Sequence, residues 1–341
     1  MKTWKPDQLV HLCLSLVLCF FCFTAFGSEV QDIGTLGGSW SAAYSVNDSD
    51  QIVGLSGTSE GDMHAFLWQN GQMQDLYPFS GFYADNGGIG NINNRGQIAG
   101  GVVVKGILYP AVWDNGNITV LGSFGGIEKD AVGLARSVNE KGQAVGFAYL
   151  PGGARHAFFY DGAMHDLGCP PANGSSPCYV DAFSINDRGW IVGNAAGGCA
   201  FLYDGHMHRI EPADTYGIGA FSINNWNQAV GSYEKGSPVF SFIFDGSYTI
   251  FSFPNAHFTW AVAINDAGTI AGTALLQRIC RACNETEHGF MYQNCVATDL
   301  NSFLPPNSGM EIVSASGINA QGHISGTALV GNWNHAVLIR P

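Results

Sequence analysis

Histidine and aspartate recur together in this chain, and their pairing is the first candidate for chemistry. His64 opens "HAFLWQNGQMQDL", His156 opens "HAFFYDGAMHDL" and His288 opens "HGFMYQNCVATDL", with Asp75, Asp166 and Asp299 ten or eleven residues further on. His335 opens "HAVLIRP", where the chain stops, and its counterpart is Asp32 in "VQDIGTLGG". Three or four such side chains on one ion would make a metal site. One pair per repeat spreads them too widely to converge, and the repeats lacking the histidine carry Val120, Arg209 and Ile250 in place of the aspartate. The expectation is a repeated structural contact, with no metal and no cofactor.

Other candidates are local. Cys169 and Cys178 flank "PPANGSSP", and Cys280 and Cys283 form one C-x-x-C in "RICRACNETEH". A lone C-x-x-C with His288 nearby falls short of four zinc ligands, so disulfides that staple loops are expected at both pairs, with Cys199 and Cys295 outside any bridge. Tyr77, Phe79, Phe82 and Tyr83 crowd the loop "YPFSGFYADNGG", where they would stack on a sugar or a protein, or else pack the loop onto its scaffold. Arg136 stands alone as a charge three residues before a repeated asparagine, a place that approaches a central axis in a ring of repeats. Asp62, Asp85, Asp130 and Asp181 are loop acids that a polysaccharide hydrolase or lyase would need in converging pairs. Nucleophile elbows, zinc-protease helices, phosphate loops and dinucleotide fingerprints are absent.

These residues hang on a repeat. The phrases "SVNDSDQIVG", "NINNRGQIAG", "SVNEKGQAVG", "SINDRGWIVG", "SINNWNQAVG", "AINDAGTIAG" and "GINAQGHISG" place asparagines at 47, 93, 139, 186, 224, 265 and 319. That spacing, roughly 45 residues, is the length of a propeller blade. Three residues after the asparagine stands Gly96, Gly142, Gly189, Gly268 or Gly322, or else Asp50 or Asn227. A turn that needs positive φ selects those residue types. Before the asparagine, small residues (Ala43, Ser45) and aliphatic ones (Val46) read as a strictly alternating strand, and a glycine seven residues after it (Gly54 through Gly326) as the end of the next strand. Asn70-Gly71, Asp161-Gly162, Asp204-Gly205 and Asp245-Gly246 read as two-residue hairpins. Each unit is therefore four short antiparallel strands. The expected fold is all-β, a seven-bladed β-propeller. Its last blade, cut short after Arg340 and Pro341, is completed by the N-terminal strand at "VQDIG".

The recurrent "INDRG-IVG" followed by "HAFLW-DG-M-DLGTLGG" resembles the HAF-repeat family of bacterial extracellular proteins over nearly the whole mature chain. The resemblance implies a secreted, propeller-like array and carries over no catalytic residue. Tyr109, Cys199 and Phe240 depart from the pattern where histidine is expected.

Composition sets the remaining bounds. Lys2 and Lys5, an apolar core from Leu12 to Phe23 and the small residues Ala25 and Gly27 read as a signal peptide over 1–27, leaving 28–341 as one domain. That places the protein outside the cell or in a periplasm, with no transmembrane segment once the signal is removed. With 14 basic and 27 acidic residues the net charge is -13, which disfavours nucleic acid. The expected function is a monomeric binding module that recognises a glycan or an extracellular protein through its variable loop face. An extracellular hydrolase or lyase and a structural surface protein are the alternatives.

Overall fold

The computed structural model describes residues 28–79, 89–127, 131–169, 179–195, 198–210, 216–234, 238–276 and 286–341, with 216–218 by backbone only. Among them, strands form five four-stranded antiparallel sheets and one eight-stranded sheet. The eight-stranded sheet is two four-stranded blades that share a single parallel bridge, Val239 to Phe258. The fold is a seven-bladed propeller. The innermost strands are Gly37–Val46, Ile89–Ile92, Gly133–Val138, Val180–Ile185, Tyr216–Ile223, Ala256–Ile264 and Met310–Ile318, numbered here as blades 1 to 7. The strand Glu29–Asp32 pairs with Trp333–Arg340, Val30 facing Ile339, and so supplies the outer strand of blade 7.

Apolar side chains collect between blades. Ala43, Val46 and Phe66 of blade 1 meet Ala336 and Leu338 of blade 7, and an equivalent cluster fills each of the other six interfaces around the ring. Burying that surface holds the blades together, because the hydrophobic contribution scales with apolar area removed from water.

The repeated asparagine does two jobs. Its Oδ1 caps its own turn: in blade 3, Asn139 accepts from the amides of Lys141 and Gln143, both at 3.0 Å. Its Nδ2 donates to the next blade, Asn139 to the carbonyl of Asn186 at 3.0 Å. The same link runs from Asn47 to Asn93, Asn93 to Asn139, Asn186 to Asn224, Asn224 to Asn265, Asn265 to Asn319 and Asn319 back to Asn47, closing a buried ring. Only a side-chain amide offers donor and acceptor together in that shape, which is why aspartate or serine, adequate for the turn alone, never stands there.

The turn residues adopt positive φ as expected, Gly142 at 76° and the two exceptions Asp50 at 56° and Asn227 at 64°. The exceptions have a reason. In blades 1, 2, 3 and 5 the asparagine amide also donates to a glutamine four residues on, as Asn139 does to Gln143 at 2.8 Å. Blades 4 and 7 carry Trp190 and His323 there. Asn186 instead donates to Asn227 Oδ1 at 2.9 Å and Asn319 to Asp50 Oδ1 at 3.1 Å. A side chain from the following blade replaces the missing acceptor.

Three sequence expectations need correction. Alternation along the inner strand is broken, because each carries a bulge three residues before the asparagine: Ala43 pairs Gly54 but Ser45 pairs Val53, and the other six strands shift register at the corresponding place. A bulge adds one residue and reverses facing beyond it, so Ala43 and Val46 are both buried while Tyr44 between them turns away. The repeated glycine does not end its strand, since Ile52–Thr58 runs past Gly54. It lies opposite the bulge, where a Cβ would strike the Ala42 carbonyl and come within 2.8 Å of the Phe66 ring. Finally, Asp161, Asp204 and Asp245 begin three-residue loops, with Tyr160 pairing Met164, Tyr203 pairing Met207 and Phe244 pairing Tyr248. Only Asn70-Gly71 of those four makes the two-residue turn, with both residues at positive φ.

Candidate functional site

The histidine–aspartate pairs form where expected. His64 Nδ1 lies 2.7 Å from Asp75 Oδ2, and the distances are 2.9 Å for His156–Asp166, 2.7 Å for His288–Asp299 and 2.8 Å for His335–Asp32. Each aspartate also accepts the backbone amide two residues on, as Asp75 Oδ1 does from Tyr77 at 2.8 Å. The pair therefore pins the exit from the outer strand. No group of three metal-binding side chains occurs among the described residues.

The aromatic loop divides. Tyr77 is exposed and stacks on His64 with ring centroids 4.8 Å apart. Phe79 was a candidate ligand contact, but it is fully buried and packs with Leu76 and Ile89 between blades 1 and 2, so it anchors the loop and is out of a ligand's reach. Phe82, Tyr83, Asp85, Asp130, Cys178, Cys280 and Cys283 lie outside the described residues. Cys169 Sγ stands 3.6 Å from His156 Nε2. Cys199 is buried in blade 4, and Cys295 is exposed at a turn with φ 64°.

Arg136 reaches the axis. It lines a cavity of about 850 Å³ that the inner strands of all blades enclose, a volume within the usual range for small-molecule sites. The seven bulge residues line it: Tyr44, Gly90, Arg136, Phe183, Phe221, Val262 and Ser316. Trp40 and Met63 extend the aromatic and apolar wall from blade 1. Burial pushes the Tyr44 phenol above its ordinary value. Behind the bulges, Ser45, Ser137, Ser184 and Ser222 line the wall, and each hydroxyl accepts the amide of an aliphatic residue in the next blade at 3.4 Å.

At the opposite mouth the residue after each asparagine faces its neighbour. The amide of Asn94 donates to Glu140 Oε1 at 2.7 Å, that of Glu140 to Asp187 Oδ1 at 2.9 Å and that of Asn225 to Asp266 Oδ1 at 2.8 Å. This rim collects Asp48, Glu140, Asp187 and Asp266, so the cavity runs from an acidic turn end to an aromatic end holding Arg136.

Two guanidiniums share one buried carboxylate beside the cavity. Arg136 Nη2 and Arg155 Nη2 each lie 3.4 Å from Asp181 Oδ2, and Asp181 Oδ1 has no hydrogen-bond partner. Phe147 supports both cations, at 5.5 Å from Arg136 and 4.6 Å from Arg155, and Phe183 lies 5.7 Å from Arg136. Asp181, expected in a loop, lies in the inner strand Val180–Ile185 and is a buried counterion. Asp62 is exposed in the hairpin of blade 1, where its carbonyl accepts from Thr58.

Sequence reasoning found Arg136 and missed Trp40, Tyr44, Phe183 and Phe221. For Tyr44, Phe183 and Phe221 the signal was present: three residues before the asparagine is the place where the repeats disagree most, flanked by places where they agree.

No family model matches the chain, and no curated protein matches it. Among solved structures, the β-propeller domain of the Trilobed protease from Pyrococcus furiosus superposes with a TM-score of 0.53 at 8% identity, covering 88% of this chain and 93% of that one. That domain is described as having an open velcro topology, whereas here an N-terminal strand completes blade 7. Pyrococcus horikoshii acylaminoacyl peptidase superposes with a TM-score of 0.50 at 11% identity over 86% of this chain, which spans 49% of the peptidase chain. At such identities the likeness is one of fold.

Proposed function

We propose that this protein is a secreted binding module of the HAF-repeat type that takes its ligand in the axial cavity, at the aromatic end. One observation carries the reading. Positions that build the ring hardly vary between blades, yet the bulge position, which lines the shared cavity, holds Tyr44, Gly90, Arg136, Phe183, Phe221, Val262 and Ser316. Architecture accounts for the glycine, whose Cβ would strike the Arg136 backbone, and for the serine, whose hydroxyl donates to the Ala43 carbonyl at 2.7 Å, but it does not demand Tyr44, Arg136, Phe183, Phe221 and Val262. A bulge conventionally re-aims a side chain, and here the bulges bring Tyr44, Arg136, Phe183, Phe221 and Val262 to one space. Concave shape and half-buried rings suit a saccharide or another small ligand better than a flat protein surface. Residues 1–27 act as the export signal, and a Cys169–Cys178 bridge staples the loop entering blade 4.

The test is a ligand screen on the mature chain, read by Trp40-sensitive fluorescence and by thermal shift. Replacing Phe183 and Phe221 together with alanine is expected to weaken any ligand found by tenfold or more while the variant still melts cooperatively. Unchanged affinity in a folded double variant would move the site away from the cavity.

A further inference from the structure

The reading above leaves the ligand's chemistry open, and the cavity wall narrows it. Among the described residues Arg136 is the only lysine or arginine lining the cavity, and it projects from a bulge directly into it. Its guanidinium is held in place beforehand: Asp181 contacts it at 3.4 Å, and the Phe147 and Phe183 rings lie 5.5 and 5.7 Å from its centre. A planar fork fixed in this way matches a carboxylate in geometry, and pre-ordering it reduces the entropy lost on binding. Asp181 does not serve Arg136 exclusively, because Arg155 takes the same oxygen at 3.4 Å. These contacts also exceed the ~2.7–2.9 Å of a tight charged hydrogen bond.

The neighbours of Arg136 define what else the ligand carries. Tyr44, Phe183 and Phe221 line the cavity, the last two with ring centroids 5.7 Å apart, and aromatic rings are suited to pack against the C–H face of a sugar. Ser137 and Ser184 each use an acceptor site on the next blade's amide, which leaves the hydroxyl proton to donate. The ligand should therefore present acceptor oxygens and an apolar face beside its anion. The carboxylates Asp48, Glu140, Asp187 and Asp266 rim the far mouth. The rim lies four positions along the chain from the bulge, at most roughly 13 Å at ~3.3 Å per residue, so the negative rim disfavours an anion that slides inward and holds its acid group at the Arg136 end.

We infer that the cavity binds an acidic saccharide, its carboxylate on Arg136 and its ring against Tyr44, Phe183 and Phe221. This rests on the cavity being the binding site.

Calorimetric titration of the full mature chain with glucuronate and galacturonate trisaccharides, the matching neutral trisaccharides and phenylacetate tests it. Acidic saccharides are expected to bind at least tenfold more tightly than their neutral counterparts and to weaken as salt rises. Arg136→Ala should bring the acidic ligands down to the neutral level, and Arg136→Lys should recover only part of the difference. The comparison on the unaltered chain decides the matter even if Arg136→Ala does not fold. Equal affinity for acidic and neutral sugars, with binding still lost in the Phe183→Ala, Phe221→Ala variant, would overturn the acidic preference and leave the cavity reading standing. Binding of phenylacetate alone would overturn the saccharide assignment. Saccharide binding that survives both sets of substitutions would overturn the site itself.

Discussion

Exchanging Asn139 for aspartate separates the two jobs of the repeated asparagine. The shape is kept, so the introduced carboxyl can still accept from the amides of Lys141 and Gln143. What disappears are the donations to Gln143 Oε1 at 2.8 Å and to the Asn186 carbonyl at 3.0 Å. At neutral pH a carboxylate oxygen would then face a buried carbonyl oxygen. The Asn186 carbonyl keeps the Gly189 amide at 3.0 Å, so the loss is that of two hydrogen bonds at about 0.5–1.5 kcal/mol each, about 1–3 kcal/mol. Burial and the lost partners raise the folded-state pKa of the introduced group above its unfolded value of about 3.9. The sign follows. Below about pH 4 the group is protonated in both states and its O–H can donate to the Asn186 carbonyl, so much of the loss is recovered. As pH rises toward the folded pKa, the variant loses about 1.4 kcal/mol per pH unit relative to the parent, whose amide does not titrate. Urea unfolding of both proteins at several pH values between 4 and 8 measures the gap. A loss under about 1 kcal/mol, or one that stays constant with pH, would refute the inter-blade role and leave the asparagine as a turn former only.

Three further outcomes are expected. Burial alone would raise the Asp50 carboxyl, but hydrogen bonds and charge from His323 and Arg340 outweigh it and hold the group below its ordinary value; it contributes stability above about pH 4 that is lost as pH falls through the folded pKa, so Asp50→Asn should flatten the acid limb of a melting-temperature profile recorded from pH 2.5 to 6. Gly193→Ala places a Cβ against the Asp181 carbonyl and within 2.8 Å of the Phe201 ring, which should cost about 1–3 kcal/mol in denaturant unfolding, whereas Gly189→Ala meets no neighbour and is strained only by its φ of 83°. Phe79→Ala should cost about 3–5 kcal/mol because the ring is fully buried, while Tyr77→Ala should change stability by less than about 1 kcal/mol; equal effects in the same unfolding assay would contradict the division of the aromatic loop.

Much of this architecture was legible in one dimension because it repeats. Turn geometry depends on a few consecutive residues, so a glycine replaced only by Asp50 or Asn227 announces positive φ by itself. Blade closure was legible for a related reason: "VQDIG" is an outer strand with no blade in front of it, and the unfinished "NHAVLIRP" needed one. The co-occurrence of histidine and aspartate likewise located a contact between adjacent strands.

The candidate site was much less legible. One extra residue in each inner strand leaves hydrophobic content unchanged while reversing the facing of everything beyond it, so a strictly alternating pattern does not single out Tyr44 and Phe183, which line the cavity as Arg136 does. Ala43 and Val46, three apart and both buried, are the trace of that bulge in the sequence.

What the sequence determined by itself is the blade: the turn after each asparagine, its strand order, its number of copies and the strand that completes the ring, all set by short-range backbone preferences and pairing. What only the tertiary structure decided is how the blades meet. The link from Asn319 to Asn47 joins residues 272 positions apart, and Asp50 and Asn227 answer for glutamines missing from other blades. Such partners are chosen by the curvature of a closed ring, which brings every bulge to one axis, and no local pattern encodes that distance.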